Sequence, residues 1–284
     1  MSERVAQHVV GTPTPALRSF VGRYTGYRYE GFEAGVHVGL PSRYLTCIVS
    51  LGEPVDVGAV NDPNAPRQQF EALIGGLHAE PAAVHHDGNQ HGVQLEVTPL
   101  GARALLGTTA AQIAGVTLPL DALLGRIAGE LVDRLRTAPT WSRRFAVLDH
   151  VLLQTLTQLD TPSPEVTYAW QRLAQTGGSI EVGPLAAEVG WSRRHLSERF
   201  RREYGLSPKT MARVMRFERS RRMLAVPSRP SLGTVAATIG YADQAHMNRD
   251  WRELAGSSPG AWMAAERLPF FQDELGDGAP NLTL

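Results

Sequence analysis

One stretch of this chain occurs twice. Residues 185–211, LAAEVGWSRRHLSERFRREYGLSPKTM, lie over residues 235–263, VAATIGYADQAHMNRDWRELAGSSPGAWM. The offset is 50 as far as Gly190/Gly240 and Trp191/Tyr241. It becomes 51 at Phe200/Trp251, Arg201/Arg252, Gly205/Gly256 and Pro208/Pro259, so one residue is added in or just after a turn. An element this short, present twice, is too brief for a solenoid and specifies two copies of one small module.

Each copy predicts helix, tight turn, helix. In the first, Leu185, Ala186 and Val189 form an apolar face that stops at Gly190, a residue that accepts the left-handed conformation of a helix end. Ser192 is placed to cap the next helix, and Asp243 does the same in the second copy. The second helix of copy one buries Leu196, Phe200 and Tyr204 at i, i+4 and i+8; Met247, Trp251 and Leu254 take that role in copy two. Ser207-Pro208 and Ser258-Pro259 are cap-plus-first-turn starts for whatever follows. Between the copies, residues 207–226 read as one continuous helix with Met211, Val214, Phe217 and Leu224 turned to the modules. On it, Arg213, Arg216, Arg219 and Arg222 add positive charge.

The faces opposite the apolar ones carry the chemistry. Arg194, Ser197, Glu198 and Arg201 recur at i, i+3, i+4 and i+7, with Ser192 and Arg193 at the helix start. Their counterparts are Ala245, Asn248, Arg249 and Arg252, with Gln244 near the start. A helix presenting such side chains can enter a major groove and meet base edges and phosphates. A linker helix from Pro208 to Val226 is about 28 Å long at ~1.5 Å per residue. Successive major grooves on one side of a duplex recur every ~34 Å, so a rigid spacer of this length suits two reading helices.

Charge agrees with this. The formal net charge is zero, but residues 1–160 hold 12 basic and 15 acidic side chains, while residues 161–268 hold 16 basic and 10 acidic ones. The tail 269–284 holds three acidic side chains and no basic one. An acidic part joined to a basic part suggests that the basic part meets a polyanion. DTPSPE, residues 160–165, reads as the linker, because its prolines and small polar residues discourage helix and sheet alike.

Residues 166–268 resemble the DNA-binding domain of the AraC/XylS family of bacterial transcription regulators. The resemblance rests on Leu185-Ala186, Gly190, Ser192, Leu196, Phe200, Gly205, Ser207-Pro208, the Arg216 to Leu224 stretch, Ala236, Gly240-Tyr241, Asp243, Arg249, Gly256 and Ser258-Pro259. It implies a seven-helix domain with two helix-turn-helix units on double-stranded DNA. It places Arg194, Ser197 and Glu198 where the first unit reads bases, and Gln244, Ala245, Asn248 and Arg249 at the corresponding places of the second. Met247 and Trp251 replace the family's usual residues there but stay apolar.

The first hundred residues carry short apolar runs broken by Gly and Pro: GRYTGYRY (22–29), YLTCIVSL (44–51), AAVHHD (82–87) and GVQLEVTPL (92–100). They predict strands of a small β-barrel or sandwich. From Ala102 to Leu159 the period turns helical. Leu120, Leu123, Leu124, Ile127, Leu131 and Leu135 form one stripe, and Phe145, Leu148, Val151, Leu152 and Leu156 a second. Two such helices either pack on the barrel or supply a dimer interface. This part resembles the family's regulatory domains, which are often small cupin-like barrels followed by helices that dimerise.

No other chemistry finds a carrier. His78, His85, His86 and His91 cluster, with His37 earlier, but the adjacent His85 and His86 point to opposite faces of a strand. HHDGNQHG reads as a polar hairpin turn about Asp87-Gly88, and no metal or other cofactor is expected. Cys47, in an apolar strand, is read as a small buried hydrophobe. There is no phosphate loop, GxSxG or paired-carboxylate motif. There is no run of ~18 apolar residues, and MSERVAQHVVG lacks a secretory apolar segment. The expectation is an α+β, non-enzymatic, cytoplasmic regulator with no membrane part. Residues 1–160 sense a small-molecule effector or dimerise, 161–165 link, 166–268 bind a double-stranded operator, and 269–284 form an acidic tail. RNA polymerase is a further partner if the protein activates. The alternatives are a metal-dependent cupin-like enzyme, and a DNA-binding protein whose first domain is a ligand-free interaction module.

Overall fold

The structure, a computed structural model, describes residues 4–60, 66–157, 161–226 and 228–265. The strand-rich part begins with β1 (Val5–Gly11), β2 (Val21–Glu30), β3 (Gly35–Gly39), β4 (Leu45–Ser50) and β5 (Val55–Ala59). It continues with β6 (Gln68–Phe70), β7 (Ala72–Gly75), β8 (Ala82–His86), β9 (Gln90–Val97) and the short β10 (Thr117–Pro119). All pairings are antiparallel. One sheet has the order β1-β2-β9-β4-β7-β10 and the other β3-β8-β5-β6. Among the described residues their ladders do not join into one closed barrel.

Glu71 is the single residue between β6 and β7, and there the chain steps from one sheet to the other. The Asp87-Gly88 turn makes a second such step. It is not the expected hairpin, because β8 pairs with β3 and β5 whereas β9 pairs with β2 and β4. The turn chemistry is as read: the Asp87 carboxylate accepts from the Asn89 backbone N–H at 2.9 Å, and Gly88 has φ 102°.

Helices follow. The run GVQLEVTPL is strand only to Val97; Thr98 then accepts from the Gly101 N–H and Pro99 opens α1 (Pro99–Leu106). The stripe from Leu120 to Leu135 is two helices, α2 (Asp121–Leu124) and α3 (Arg126–Thr137), because Gly125 breaks it at φ 54°, ψ −134°. Leu120, Leu131 and Leu135 are still buried. α4 (Trp141–Thr155) buries Leu148, Val151 and Leu152, as its period requires. The expected linker is shorter than six residues: Asp160 lies outside the described residues, and Pro164 already opens α5 (Pro164–Gln175). α6 (Val182–Glu188), α7 (Arg193–Tyr204), α8 (Pro208–Ala225), α9 (Leu232–Ile239), α10 (Gln244–Ala255) and α11 (Pro259–Ala265) complete seven helices after the linker among the described residues. The acidic tail 269–284 lies outside the described residues.

The two parts share one apolar core that runs from Leu17 to Ala255. Ion pairs cross the seam between them. Arg103 on α1 holds Glu203 on α7 through two bonds of 2.8 and 2.7 Å. Arg43, before β4, lies 3.6 Å from Glu218 on α8. Gly205 sits against the turn at residues 110–114; a Cβ there would come within 2.2 Å of the Ala114 methyl.

Candidate nucleic-acid interface

The duplicated module folds as its sequence dictates. Gly190 and Gly240 end α6 and α9 at φ 71° and 90°, in the left-handed region that glycine tolerates without strain. Ser192 accepts from the His195 N–H at 3.2 Å and Asp243 from the His246 N–H at 2.6 Å, so both second helices start on side-chain caps. Leu196, Phe200 and Tyr204 are buried on one side of α7, and Met247, Trp251 and Leu254 on one side of α10. The Trp251 indole N–H donates to the Ser220 hydroxyl on α8 at 2.8 Å, which fixes the second unit to the linker helix.

The faces left in solvent contain the expected residues, with differences. On α7, Ser192, Arg193, Arg194, Glu198 and Arg201 are exposed. Arg194 and Glu198 form an exposed pair at 2.9 Å, and the Arg194 guanidinium holds the Glu198 carboxyl below the ordinary carboxylate range. Ser197 is half-buried and donates to the Arg193 carbonyl at 2.8 Å. Arg193 folds over Gly183 of α6, where a Cβ would meet the guanidinium at 2.5 Å. On α10, Gln244, Ala245, Arg249 and Arg252 are exposed; Asn248 is half-buried, with its carbonyl oxygen buried and unpartnered.

The linker helix α8 corrects the sequence reading most. Of the four arginines counted as added positive charge, three are engaged inside the protein. Arg213 pairs with Asp250 at 2.9 Å and with Glu253, both on α10. Arg216 donates to the Gly178 carbonyl at 2.8 Å and lies over the Tyr241 ring. Arg222 pairs with Glu218 at 3.0 Å. Burial alone would raise the Glu218 carboxyl, but Arg43, Arg222 and Arg221 together hold it low. Sequence reasoning missed the pairs to Asp250, Glu203 and Glu218. One signal was available: Asp250 stands where copy one has Arg199; the structure buries the first and exposes the second.

A cavity of about 1910 Å³ opens between the two sheets and continues to the helical part. Tyr27, Tyr29, Ile48, Leu73 and Gln94 line its sheet side; Leu206, Arg213, Arg252 and Glu253 line its helical side. His37, His78, His85, His86 and His91 all border it. No three His, Cys, Asp or Glu among the described residues converge as a metal ion would require. His37 is buried, and that burial pulls its imidazole down to about 3. Cys47 is buried in β4 and its thiol is pushed up to about 12. Among the described residues no helix is long and apolar enough to cross a membrane.

Residues 185–265 match a family model described as a helix-turn-helix domain. Comparison with curated proteins gives no match. Among solved structures, apo ToxT from Vibrio cholerae, in a variant form, is 10% identical; the match covers 85% of this chain and 97% of that one at a TM-score of 0.51. The likeness shows a shared fold, a β-rich N-terminal domain followed by a helical one. An AraC-type DNA-binding domain-containing regulator from Chromobacterium violaceum is 23% identical over 38% of this chain and 96% of its own, TM-score 0.34. The DNA-binding domain of AdpA, a global transcriptional factor solved in complex with a target DNA, is 32% identical over 38% of this chain and 95% of its own, TM-score 0.33.

Proposed function

We propose that residues 185–265, which match a helix-turn-helix family model, are an AraC-type DNA-binding domain of a transcription regulator, and that α7 and α10 are its two reading helices. The observation that carries the assignment is the division of each helix into a buried apolar side and an exposed side bearing arginine. Arg194 and Arg249, with Gln244, face base edges; Arg201 and Arg252, one or two turns further on, face phosphates. Ser192 and Asp243 act through their caps, and Ser197 and Asn248, half-buried, set the helix face rather than extend from it.

The two-sheet domain is, on this reading, a cupin-like container for a small effector, as the size of its cavity supports. The effector would touch Glu253 of the second reading unit directly.

Selection of bound duplexes from a random pool tests the DNA assignment. Two recovered half-elements about one helical turn apart are expected. Arg249→Ala should relax discrimination at one position by about 1–3 kcal/mol, and Arg201→Ala should weaken all sequences alike and lower the salt slope by about 1. Parental binding by both variants across salt would reject the face assignment.

A further inference from the structure

A second, smaller pocket of about 260 Å³ lies on the seam between the sheet domain and α8. Ala174, Gln175 and Gly177 at the end of α5 form one wall, and Glu218, Arg219 and Arg222 of α8 another. Arg43 reaches it from the sheet domain. Its lining holds three guanidinium groups and one carboxylate.

That carboxylate does not satisfy the three cations. Glu218 bonds Arg222 at 3.0 Å, but it is 3.6 Å from Arg43, beyond hydrogen-bond length. The Arg43 Nε and the Glu218 Oε2, 3.6 Å apart, are each buried without a hydrogen-bond partner. Arg219 has no ion-pair or hydrogen-bond partner among the described residues. Its aliphatic stem is laid close against Gly177, where a Cβ would stand 3.1 Å from the Arg219 Cδ and where φ is +57°. The side chain is therefore positioned by packing although it holds nothing. Leaving a buried guanidinium N–H without a hydrogen-bond acceptor is costly even beside a carboxylate, and forked N–H donors match an oxyanion closely.

We propose that this pocket binds a small free dianion of the phosphate class, which takes the Arg43 Nε and the forks of Arg219 and Arg222 and so ties the sheet domain to α8. The bound anion supplies the charge that Glu218 alone does not, and the site spans two parts of the chain, so occupancy strengthens their docking.

The test uses the full chain with sodium phosphate as the probe, against sodium chloride at matched ionic strength. Thermal shift and calorimetry would be run on the wild type, Arg219→Gln, Arg219→Lys and the control Arg199→Gln, an exposed arginine of α7. Arg219 is half-buried and unpaired, so its variants should keep the fold, which far-ultraviolet circular dichroism checks. Saturable stabilisation of the wild type and control is expected. Arg219→Gln should weaken it about tenfold or more, the loss of one charge-assisted contact, and Arg219→Lys by less. An equal phosphate response in wild type and Arg219→Gln, or none in the wild type, would overturn the proposal. So would a loss of duplex affinity in Arg219→Gln, in phosphate-free buffer, as large as that in Arg201→Gln. The pocket would then be a contact to the nucleic-acid backbone.

Discussion

The Arg103–Glu203 pair is where the two parts of the chain can be uncoupled with least collateral damage. Its two bonds of 2.8 and 2.7 Å make a fork-to-carboxylate geometry, and the side chains are only 17% and 13% exposed. Exposed pairs contribute ~0–1 kcal/mol, while breaking a buried one from one side costs ~3–5 kcal/mol. At this intermediate burial, Arg103→Ala should cost about 2–3 kcal/mol because it strands Glu203, and Glu203→Ala should cost less because Arg103 keeps a further interaction. The double variant strands neither and should cost well under the sum. The expected coupling energy is about 1.5–2.5 kcal/mol. Urea denaturation of the four proteins measures it. Repeating the cycle in 1 M salt should lower it only in part, because screening acts weakly on pairs removed from solvent. Additivity within about 0.5 kcal/mol would mean that the two side chains do not act as a unit, and the argument that this pair fixes α7 to the sheet domain would fail.

Three further outcomes are expected. Gly178→Ala should destabilise the protein by more than 2 kcal/mol, since a Cβ there meets the Ala212 carbonyl oxygen at 2.1 Å and φ is +77°; Gly190→Ala, with φ +71° and open space around it, should cost only about 1–2 kcal/mol in thermal denaturation. Cys47, buried and with its thiol pushed up to about 12, should resist thiol reagents at pH 8 in the native protein and react at once in urea. His37 takes its proton in the folded state only near pH 3, whereas the unfolded chain takes it near the ordinary 6.5. Stability should therefore be full above about pH 6.5 and fall as pH drops toward 3, by at most about 1.4 kcal/mol per unit from this group; His37→Gln should flatten that limb of the pH profile.

Much of the helical part was legible because local chemistry decides it. Gly190, Ser192, Gly240, Asp243 and the prolines at 208 and 259 each fix one helix end through their own backbone preferences or caps. The 3.6-residue period of Leu196, Phe200 and Tyr204 fixes which side is buried. The sheet domain was legible strand by strand but not in its pairing. Nothing local distinguishes a turn that returns to its own sheet, as Asp87-Gly88 was read, from one that steps to another; the partners of β8 and β9 decide it. Gly125 lies within the stripe from Leu120 to Leu135, whose period does not show that its backbone ends one helix and starts the next. Arg213, Arg216 and Arg222 were read as solvent charge because their partners, Asp250, Gly178 and Glu218, lie at sequence separations with no helical meaning or, for Glu218, on a face whose burial comes from the sheet domain. Side-chain type sets what an arginine can do, and long-range packing selects which of those things it does.

The same packing gives the linker helix a role that its length alone does not. α8 carries Arg213, which grips α10 through Asp250 and Glu253, and Arg216, which holds the Gly178 carbonyl and the Tyr241 ring. It also carries Glu218, which faces Arg43 of the sheet domain. The element between α7 and α10 is thus, like α7 itself, one that the sheet domain contacts. Arg213 and Glu253 border the large cavity as well, so a ligand there that drew Glu253 away would loosen one of the two grips on α10. On the proposed reading, coupling between a filled cavity and DNA needs no relay across the fold, because the Arg213–Glu253 pair that borders the cavity also holds α10. Glu253→Gln separates these roles: it should weaken the hold of Arg213 on α10 while sparing the Asp250 contact, and so alter duplex affinity without ligand. If Glu253→Gln left both the ligand response and the duplex affinity unchanged, the shared pair would not be the link, and coupling would have to pass through the Arg103–Glu203 seam instead.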